Sequence, residues 1–535
     1  MNRIQRLLGP VRRYGLLCAY VLLSAAIVCW VSWEAFYVRA ITYSPNADYW
    51  EHSGVLRALL DSPFRPKTPH LGGTASSPRF GPQVVLVALL GRALHLDALA
   101  TTSVSAIFNV LLLVLGIYAF FRTFFRSQLA PLYGLLVLFT SWWHAWPFSN
   151  VYQLDVLVRV ASYPSTAALG LSFLGFAATE RALRIERRSW PNMVVVALWA
   201  GCVLIIHPLT AVLAASGAGL LTLTEPRISW RRRFEVMAAL ASGLFLASFW
   251  PYFSPWLVIG GGESDSSHWI SESLQQAVQG KTVEQPHRWY NWREIASSLG
   301  LALLGALSLP YFFLERRRLF VSVGAVLLVL LFTINYFVEI PLGHRYILLA
   351  TFYLQVAVVW VLLKLTPGSS EAWPLLDRPW RKAVAAALIV CVLSPFVFHN
   401  LALASSESEV GRRTAARRES YYVIYARMAA QLAGPNAVIL ASPLDSWPIP
   451  MFGPKVVALL HPNTLVPDEP QRTVDVHRFL NKPLSLEERR RIIDHYRVTH
   501  VLLRGQPRGQ LAAFLAGSAT EQNLTAGYRL YTLNR

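Results

Sequence analysis

The sequence predicts an α-helical polytopic membrane protein of about eleven transmembrane helices, followed by a small extracytoplasmic α/β domain. Three observations carry this reading. Long apolar runs recur through residues 1–404, every second linker between them holds a cluster of positive charge, and the texture of the chain changes after residue 404. The clusters are Arg3/Arg6/Arg12/Arg13, Arg122/Arg126, Arg181/Arg184/Arg187/Arg188, Arg231/Arg232/Arg233, Arg316/Arg317/Arg318 and Arg378/Arg381/Lys382. The intervening linkers instead hold Asp48, Asp155, His207, Glu263/Asp265 and the pair His344-Arg345. Lysine and arginine are retained in short cytoplasmic loops, so the alternation both counts and orients the spans. It sets the amino terminus in the cytoplasm and the candidate chemistry on the far face of the cytoplasmic membrane.

Composition agrees. Hydrophobic residues make up 54% of the 535 and charged residues 15%, well below the ~25% charged content of a soluble domain. The mean hydropathy is +0.39. A net charge of +19 would suggest nucleic acid in a soluble protein. Here the charge sits in loop clusters that meet anionic headgroups, so membrane lipids replace nucleic acid as the expected partner. Cys18, Cys29, Cys202 and Cys391 are scattered within apolar runs, which gives neither a disulfide framework nor a thiolate metal site.

The apolar runs are 14–38, 99–121, 129–147, 162–182, 192–207, 208–224, 234–253, 296–314, 319–338, 345–364 and 383–403. The first follows a basic segment, is too long for a signal-peptide core and has no small-residue cleavage site, so it reads as a retained span. The runs meeting at His207-Pro208 require a tight hairpin. Without it, one arginine-rich linker would fall on the wrong side.

Four outer segments remain. In the first, 40–98, SPNADYWEHSGVLRALLDS reads as a helix capped by Asn46 or Asp48, with Val55, Leu56, Leu59 and Leu60 at helical spacing. PQVVLVALLGRALHL is too short to span and reads as a helix on the outer membrane surface. The segment 148–161 carries Asp155 and Arg159, and 254–295 is glycine-rich, then polar. In the tail, 405–535, ESYYVIYARMAAQLA and SLEERRRIIDHYR read as helices, and AVILAS, KVVALL, THVLLR and YRLYTL as strands. The expected division is a transmembrane domain over 1–404 and a soluble α/β domain over 405–535.

Candidate chemistry follows from these positions. Asp48 opens the first outer segment, with Glu51 and His52 close behind as candidate substrate-binding residues. Its carboxylate could take a proton from an acceptor hydroxyl, or could simply cap the helix. His344 and Arg345, in GHRY at a helix start, suit a phosphate or diphosphate, or anchor the span at the interface. Asp155 and Arg159, four residues apart, form a loop ion pair or contact substrate. Glu263, Asp265 and His268 offer oxygen ligands and an imidazole to a divalent cation, at spacing that matches no specific metal pattern.

The layout resembles the GT-C superfamily of integral-membrane glycosyltransferases, which includes protein O-mannosyltransferases and the aminoarabinose transferase acting on lipid A. The resemblance rests on a first span followed by an acidic residue (Asp48), the short helix PQVVLVALLGRALHL, the run ATTSVSAIFNVLLLVLGIYAFF, the late HRY, and a tail with ERRRIIDHYRVTHVLL. It implies a sugar donor on a polyprenyl phosphate, a lipid, glycan or protein acceptor, inversion at the anomeric carbon, and a metal ion in some branches only. It also implies a base or metal-ligand role for Asp48 and a phosphate contact for Arg345. Asp48 is followed by Tyr49, where the mannosyltransferases carry a second acid, so sugar and acceptor stay open. The other classes in view are a transporter or flippase of lipid-linked glycans, and a non-catalytic assembly protein. A transporter would place charges within spans and show internal repeats.

The alternation of charge makes a direct prediction. Reporter fusions after Ser189 and Arg318 should report cytoplasm, and fusions after Gly261 and Ser405 the outside. An inside signal at Ser405 would overturn the orientation.

Overall fold

The computed structural model describes residues 3–38, 48–72, 75–143, 151–185, 190–260, 292–314, 318–335, 337, 338, 340, 343–367, 369–373, 378–416, 425, 436–459, 463, 465–524 and 527–534. The chain divides into two compact units. One comprises Met1–Trp33, Ala106–Trp250 and Glu284–Glu407, and the other Glu34–Ser105, Pro251–Val283 and Ser408–Arg535.

The first unit is helical. Its elements are α1 (Arg3–Trp33), α4 (Ala98–Phe124, which begins in the second unit), α5 (Ala130–Thr140), α6 (Leu154–Val160), α7 (Pro164–Arg184), α8 (Trp190–Ile206), α9 (Pro208–Thr224) and α10 (Trp230–Leu246). After α11 (Pro255–Gly260), in the second unit, come α12 (Trp292–Leu299), α13 (Ala302–Leu314), α14 (Leu319–Ile334), α15 (Tyr346–Leu365) and α16 (Pro379–Ala416). Every apolar run of the sequence therefore contains helix among the described residues.

Length separates these helices. Among the described residues, Tyr14–Tyr37, Ala98–Phe124, Gly343–Leu365 and Pro379–Ser406 are long and apolar enough to cross a membrane, and α6 with α7 adds a fifth as a pair bent by 111°. The other apolar helices have 10–17 residues. At 1.5 Å per residue, a 17-residue helix covers about 25 Å, the lower limit for a span. The run at 296–314 is divided because Gly300 takes φ +51 and Leu301 N–H turns to donate to Ser141 O at 2.8 Å. The hairpin expected at His207-Pro208 appears as two helices joined through His207. That residue is extended, and its ring Nδ1 accepts from Thr210 N–H at the start of α9.

α15 is the central helix, with 94% of its apolar window buried, against 22% for α1 and 11% for α16. Phe352 of α15 meets Phe120 of α4 at 5.7 Å and Phe173 of α7 at 4.7 Å between ring centroids. That cluster is possible because α4 and α7 nearly touch. A Cβ on Gly116 would lie 2.3 Å from Gly170 O, and one on Gly170 would lie 2.6 Å from the carbonyl carbon of Leu112. Small residues that let backbones approach are the main packing device where lipid removes the hydrophobic drive. One arginine cluster has a visible structural duty as well. Arg318 is buried, pairs with buried Glu371 at 2.8 Å and donates to Phe124 O.

The second unit contains α2 (Tyr49–Asp61), α3 (Pro82–Ala93) and the α/β tail. The tail has strands β1 (Val438–Leu440), β2 (Lys455–Val456), β3 (His500–Arg504), β4 (Ala519–Asn523) and β5 (Tyr528–Leu533), with helices α17 (Pro443–Ser446), α18 (Glu469–Asn481), α19 (Leu486–Tyr496) and α20 (Gly509–Ser518). The sheet order is β2-β1-β3-β5-β4, parallel across the first three strands and antiparallel across the rest. Its core includes Leu440, Val476, Phe479, Val501, Phe514 and Tyr531. Four strands fall where the sequence places them. β4 does not announce itself, because ATEQN is polar and mostly exposed. α19 opens with the Ser485/Glu488 capping box. Except for Tyr425, the helix expected over ESYYVIYARMAAQLA lies outside the described residues. α3 buries Val84, Val87 and Ala88 and leaves Leu86, Leu90 and Leu94 exposed, as an interfacial helix would.

The close approach of α4 and α7 yields a test. Gly116→Ala should cost about 1–3 kcal/mol, as overpacking against fixed backbone does, and lower the melting temperature in detergent. Gly15→Ala, where nothing lies within 4 Å of the new Cβ, should leave it unchanged or raise it slightly. Equal effects would refute the contact.

Candidate functional site

Asp48 stands at the start of α2, half-buried, where α2 enters from the preceding loop. Its backbone carbonyl accepts from His52 N–H at 3.0 Å, but its side chain makes no capping hydrogen bond. Capping therefore does not account for the carboxylate. Glu51, one turn on, is 1% exposed, and Arg79 donates to its carboxylate through Nε at 3.0 Å and through Nη2.

A second polar contact crosses beneath α2. His70 is buried, and its Nε2 lies 3.0 Å from Glu51 O. A carbonyl only accepts, so Nε2 carries the proton. Burial pulls the His70 ring down to about 4 against a partial upward pull from the Glu51 carboxylate, so the ring is neutral. Gly54 makes room for it: a Cβ there would sit 3.0 Å from the imidazole.

The loop carrying His70 and Arg79 is tied to the tail. Val456 N–H donates to His70 O at 3.0 Å, and Leu71 forms a parallel bridge with Val456 at the sheet edge. Lys455 Nζ donates to Thr68 O at 2.6 Å and to Pro69 O at 3.0 Å, and Asn463 Nδ2 donates to Ser76 O. Glu469 closes the group. Its carboxylate accepts from Asn463 N–H, and burial, with the negative charge of Glu51 adding to it, pushes it up to about 8.

In the first unit the remaining candidates fall in two places. Asp155 and Arg159 share one face of α6, 3.9 Å apart, with Asp155 buried. The bend between α6 and α7 exposes backbone carbonyls, and Asn109 of α4 donates to two of them, Ala161 O at 2.9 Å and Tyr163 O at 3.1 Å. Gln153, just before α6, is fully buried, and among the described residues neither of its amide atoms has a hydrogen-bond partner. His344 and Arg345 form a single 3₁₀ turn with Gly343 at the head of α15. Both are partly exposed, and Arg345 Nε donates to His344 Nε2 at 3.3 Å. Gly343 is required there, since a Cβ would lie 2.1 Å from Asn335 Oδ1, which accepts from Ile340 N–H.

The sequence thus places Asp48, Glu51 and His52 on one helix start and His344 with Arg345 on another, as the structure does. It missed Arg79, His70, Glu469 and Gln153. Arg79 stands in SPRFGP among several other basic residues of the same segment, Arg57, Arg65, Lys67 and Arg92, so no local signal set it apart. Glu263, Asp265 and His268 lie outside the described residues. Among the residues described, no group of three His, Cys, Asp or Glu side chains could hold a metal ion.

The helical unit of long and half-length apolar helices and the mixed α/β tail recur together in known structures. Among solved structures, the chain is similar to ArnT from Cupriavidus metallidurans bound to undecaprenyl phosphate, with TM-score 0.54 and 14% identity over 96% of this chain and 98% of that one. The apo state of the same protein gives a TM-score of 0.51 with the same identity and coverage. Arabinofuranosyltransferase AftD from Mycobacteria gives 0.53 at 14% identity, over 96% of this chain and 40% of that one. At such identities the likeness is one of fold. No family model matches the chain, and no curated protein matches it in sequence.

The buried carboxyl of Glu469 makes a pH prediction. Its folded value, about 8, lies above the ordinary 4.5, so on raising the pH the unfolded chain gives up this proton first and stability falls through that interval. His70 acts oppositely, its contribution being lost as pH drops from 6.5 toward about 4. Between 6.5 and about 8 Glu469 dominates the pair. Over that range, amide protection at 68–72 and 455–457, corrected for intrinsic exchange, should decline in the wild type and stay flat in Glu469→Gln. Parallel declines in both proteins would refute the assignment.

Proposed function

We propose that the chain is a glycosyltransferase that moves a sugar from a polyprenyl-phosphate carrier to a lipid, glycan or protein acceptor on the outer face of the cytoplasmic membrane. The observation that carries this is Asp48: it heads α2, the next helix after the first apolar one among the described residues, and its carboxylate is not spent on capping α2. The shared fold with ArnT, whose structure holds undecaprenyl phosphate, supports the carrier.

In this reading the acceptor hydroxyl gives its proton to Asp48 as its oxygen bonds to the anomeric carbon. The bond from that carbon to the phosphate oxygen breaks, and the electron pair leaves with the polyprenyl phosphate. The leaving group is already an anion, so no strong acid is required. Arg345, oriented by His344 at the head of α15, holds the phosphate through charge-assisted hydrogen bonds. Glu51 and Arg79 hold the start of α2 in place; His52 in the second unit, and Asp155, Arg159 and Gln153 in the first, are candidate substrate contacts. Attack opposite the leaving phosphate inverts the anomeric centre. The helical unit spans the membrane with the tail domain outside, consistent with the charge alternation.

Turnover with a polyprenyl-phosphate sugar, measured beside donor affinity, tests the roles. Asp48→Asn should fold and bind donor, yet lose about 10²–10⁴-fold in turnover, the usual contribution of a general base. Arg345→Ala should weaken donor binding instead, with Arg345→Lys restoring only part because lysine lacks the planar fork. Near-normal turnover by the asparagine variant would remove Asp48 from the chemistry. Transport of a lipid-linked glycan without transfer would favour the flippase.

A further inference from the structure

The tail domain contains a cavity of about 610 Å³ that the transfer reaction does not use. It opens at the carboxyl ends of β1 and β3, between Ser442–Asp445 on one side and the turn after Arg504 on the other. These strands are adjacent and parallel, and the chain leaves them in opposite directions: β1 leads to β2 on one flank, and β3 leads toward β4 and β5 on the other. A crevice outside the carboxyl ends of two such strands is where open α/β sheets bind ligands.

The lining is cationic. Lys482, Arg504 and Arg508 are exposed around the cavity, and among the described residues none of the three side chains is held by an ion pair. Asp445 is the one acid in the lining, and it is already occupied: Ser442 Oγ donates to it at 2.6 Å and the Tyr528 hydroxyl at 2.8 Å. Arg489, 1% exposed, builds the wall behind Lys482 by donating to Phe479 O and Lys482 O. Gly505 and Gly509 adopt φ +85 and +56, values other residues resist. They turn the chain from β3 into α20, so that the amino-terminal residues of α20, Gly509 and Gln510, join the lining. Basic side chains and the positive end of a ten-residue helix thus converge on one space of ligand size.

We propose that this cavity binds a phosphate group carried by a saccharide or a lipid headgroup, as a second ligand site separate from the candidate donor residues. Arg504 and Arg508 grip the phosphate, Lys482 adds charge, and the amide groups at the start of α20 complete the cradle.

The test uses the purified full chain in detergent, titrated by calorimetry with glucose 1-phosphate and, separately, with a water-soluble short-chain phosphatidic acid. Saturable binding of at least one probe is expected, with affinity reduced about 10-fold or more in Arg504→Ala/Arg508→Ala through loss of charge-assisted contacts. The paired lysine variant should keep part of the affinity, and Arg345→Ala should leave it unchanged. Binding of the sugar phosphate alone identifies a saccharide ligand, and binding of the phosphatidic acid alone a lipid headgroup. If the double alanine variant melts early, Lys482→Ala, at an exposed position, replaces it and should weaken binding several-fold. The proposal is overturned if neither probe binds, or if binding is indifferent to all three basic residues.

Discussion

The second unit depends on one buried arrangement, the Glu51 carboxylate held by Arg79 while the Glu51 carbonyl accepts a hydrogen bond from His70 Nε2. Burying a carboxylate is costly unless it is paired and hydrogen-bonded, and losing one partner leaves the other charge stranded. Held through its carboxylate by Arg79 and through its carbonyl by His70, the start of α2 is fixed from two directions by a single loop. That loop in turn lies against the edge of the tail sheet through Leu71 and Val456. The position of Asp48 is therefore set by a chain of contacts ending in the carboxyl-terminal domain.

This arrangement also relates stability to chemistry. His70 is kept neutral by burial, and Glu469 is kept protonated by burial and by the charge on Glu51. The ionised carboxylate of Glu51 receives an arginine. In the helical unit the same economy appears at Arg318 and Glu371, which neutralise one another near helix ends. Arg318 with Glu371 and Arg79 with Glu51 are matched locally, whereas Lys482, Arg504 and Arg508 are exposed and, among the described residues, held by no ion pair.

The sequence made the helical architecture legible because apolar runs and arginine clusters are local signals, and each run does contain helix. It could not tell which helices would reach full span length, since the break at Gly300 and the bend before Pro164 are set by tertiary contacts with Ser141 and Asn109. Strands with β-branched runs were visible and the polar strand β4 was not. Asp48 could be singled out from its place after the first run. Its supporting residues could not: the side chain of Lys455 meets Thr68 across 387 positions, and no periodicity encodes a contact at that range. The cavity beside β3 was equally hidden, because its basic residues come from separate turns that only the sheet order brings together.

The bridge between Leu71 and Val456 has a consequence for biosynthesis. The loop precedes its partner strand by more than 380 residues, so the two cannot meet until that intervening stretch has been synthesised. Until then the loop lacks the strand it will pair with, and β2, once formed, is an open edge able to recruit any extended segment nearby. Joining such distant segments carries a large closure entropy and is slow. Pairing of this loop with β2 is thus a late event in maturation, and α2, with Asp48 at its head, gains that support only once residues 455–456 have been made.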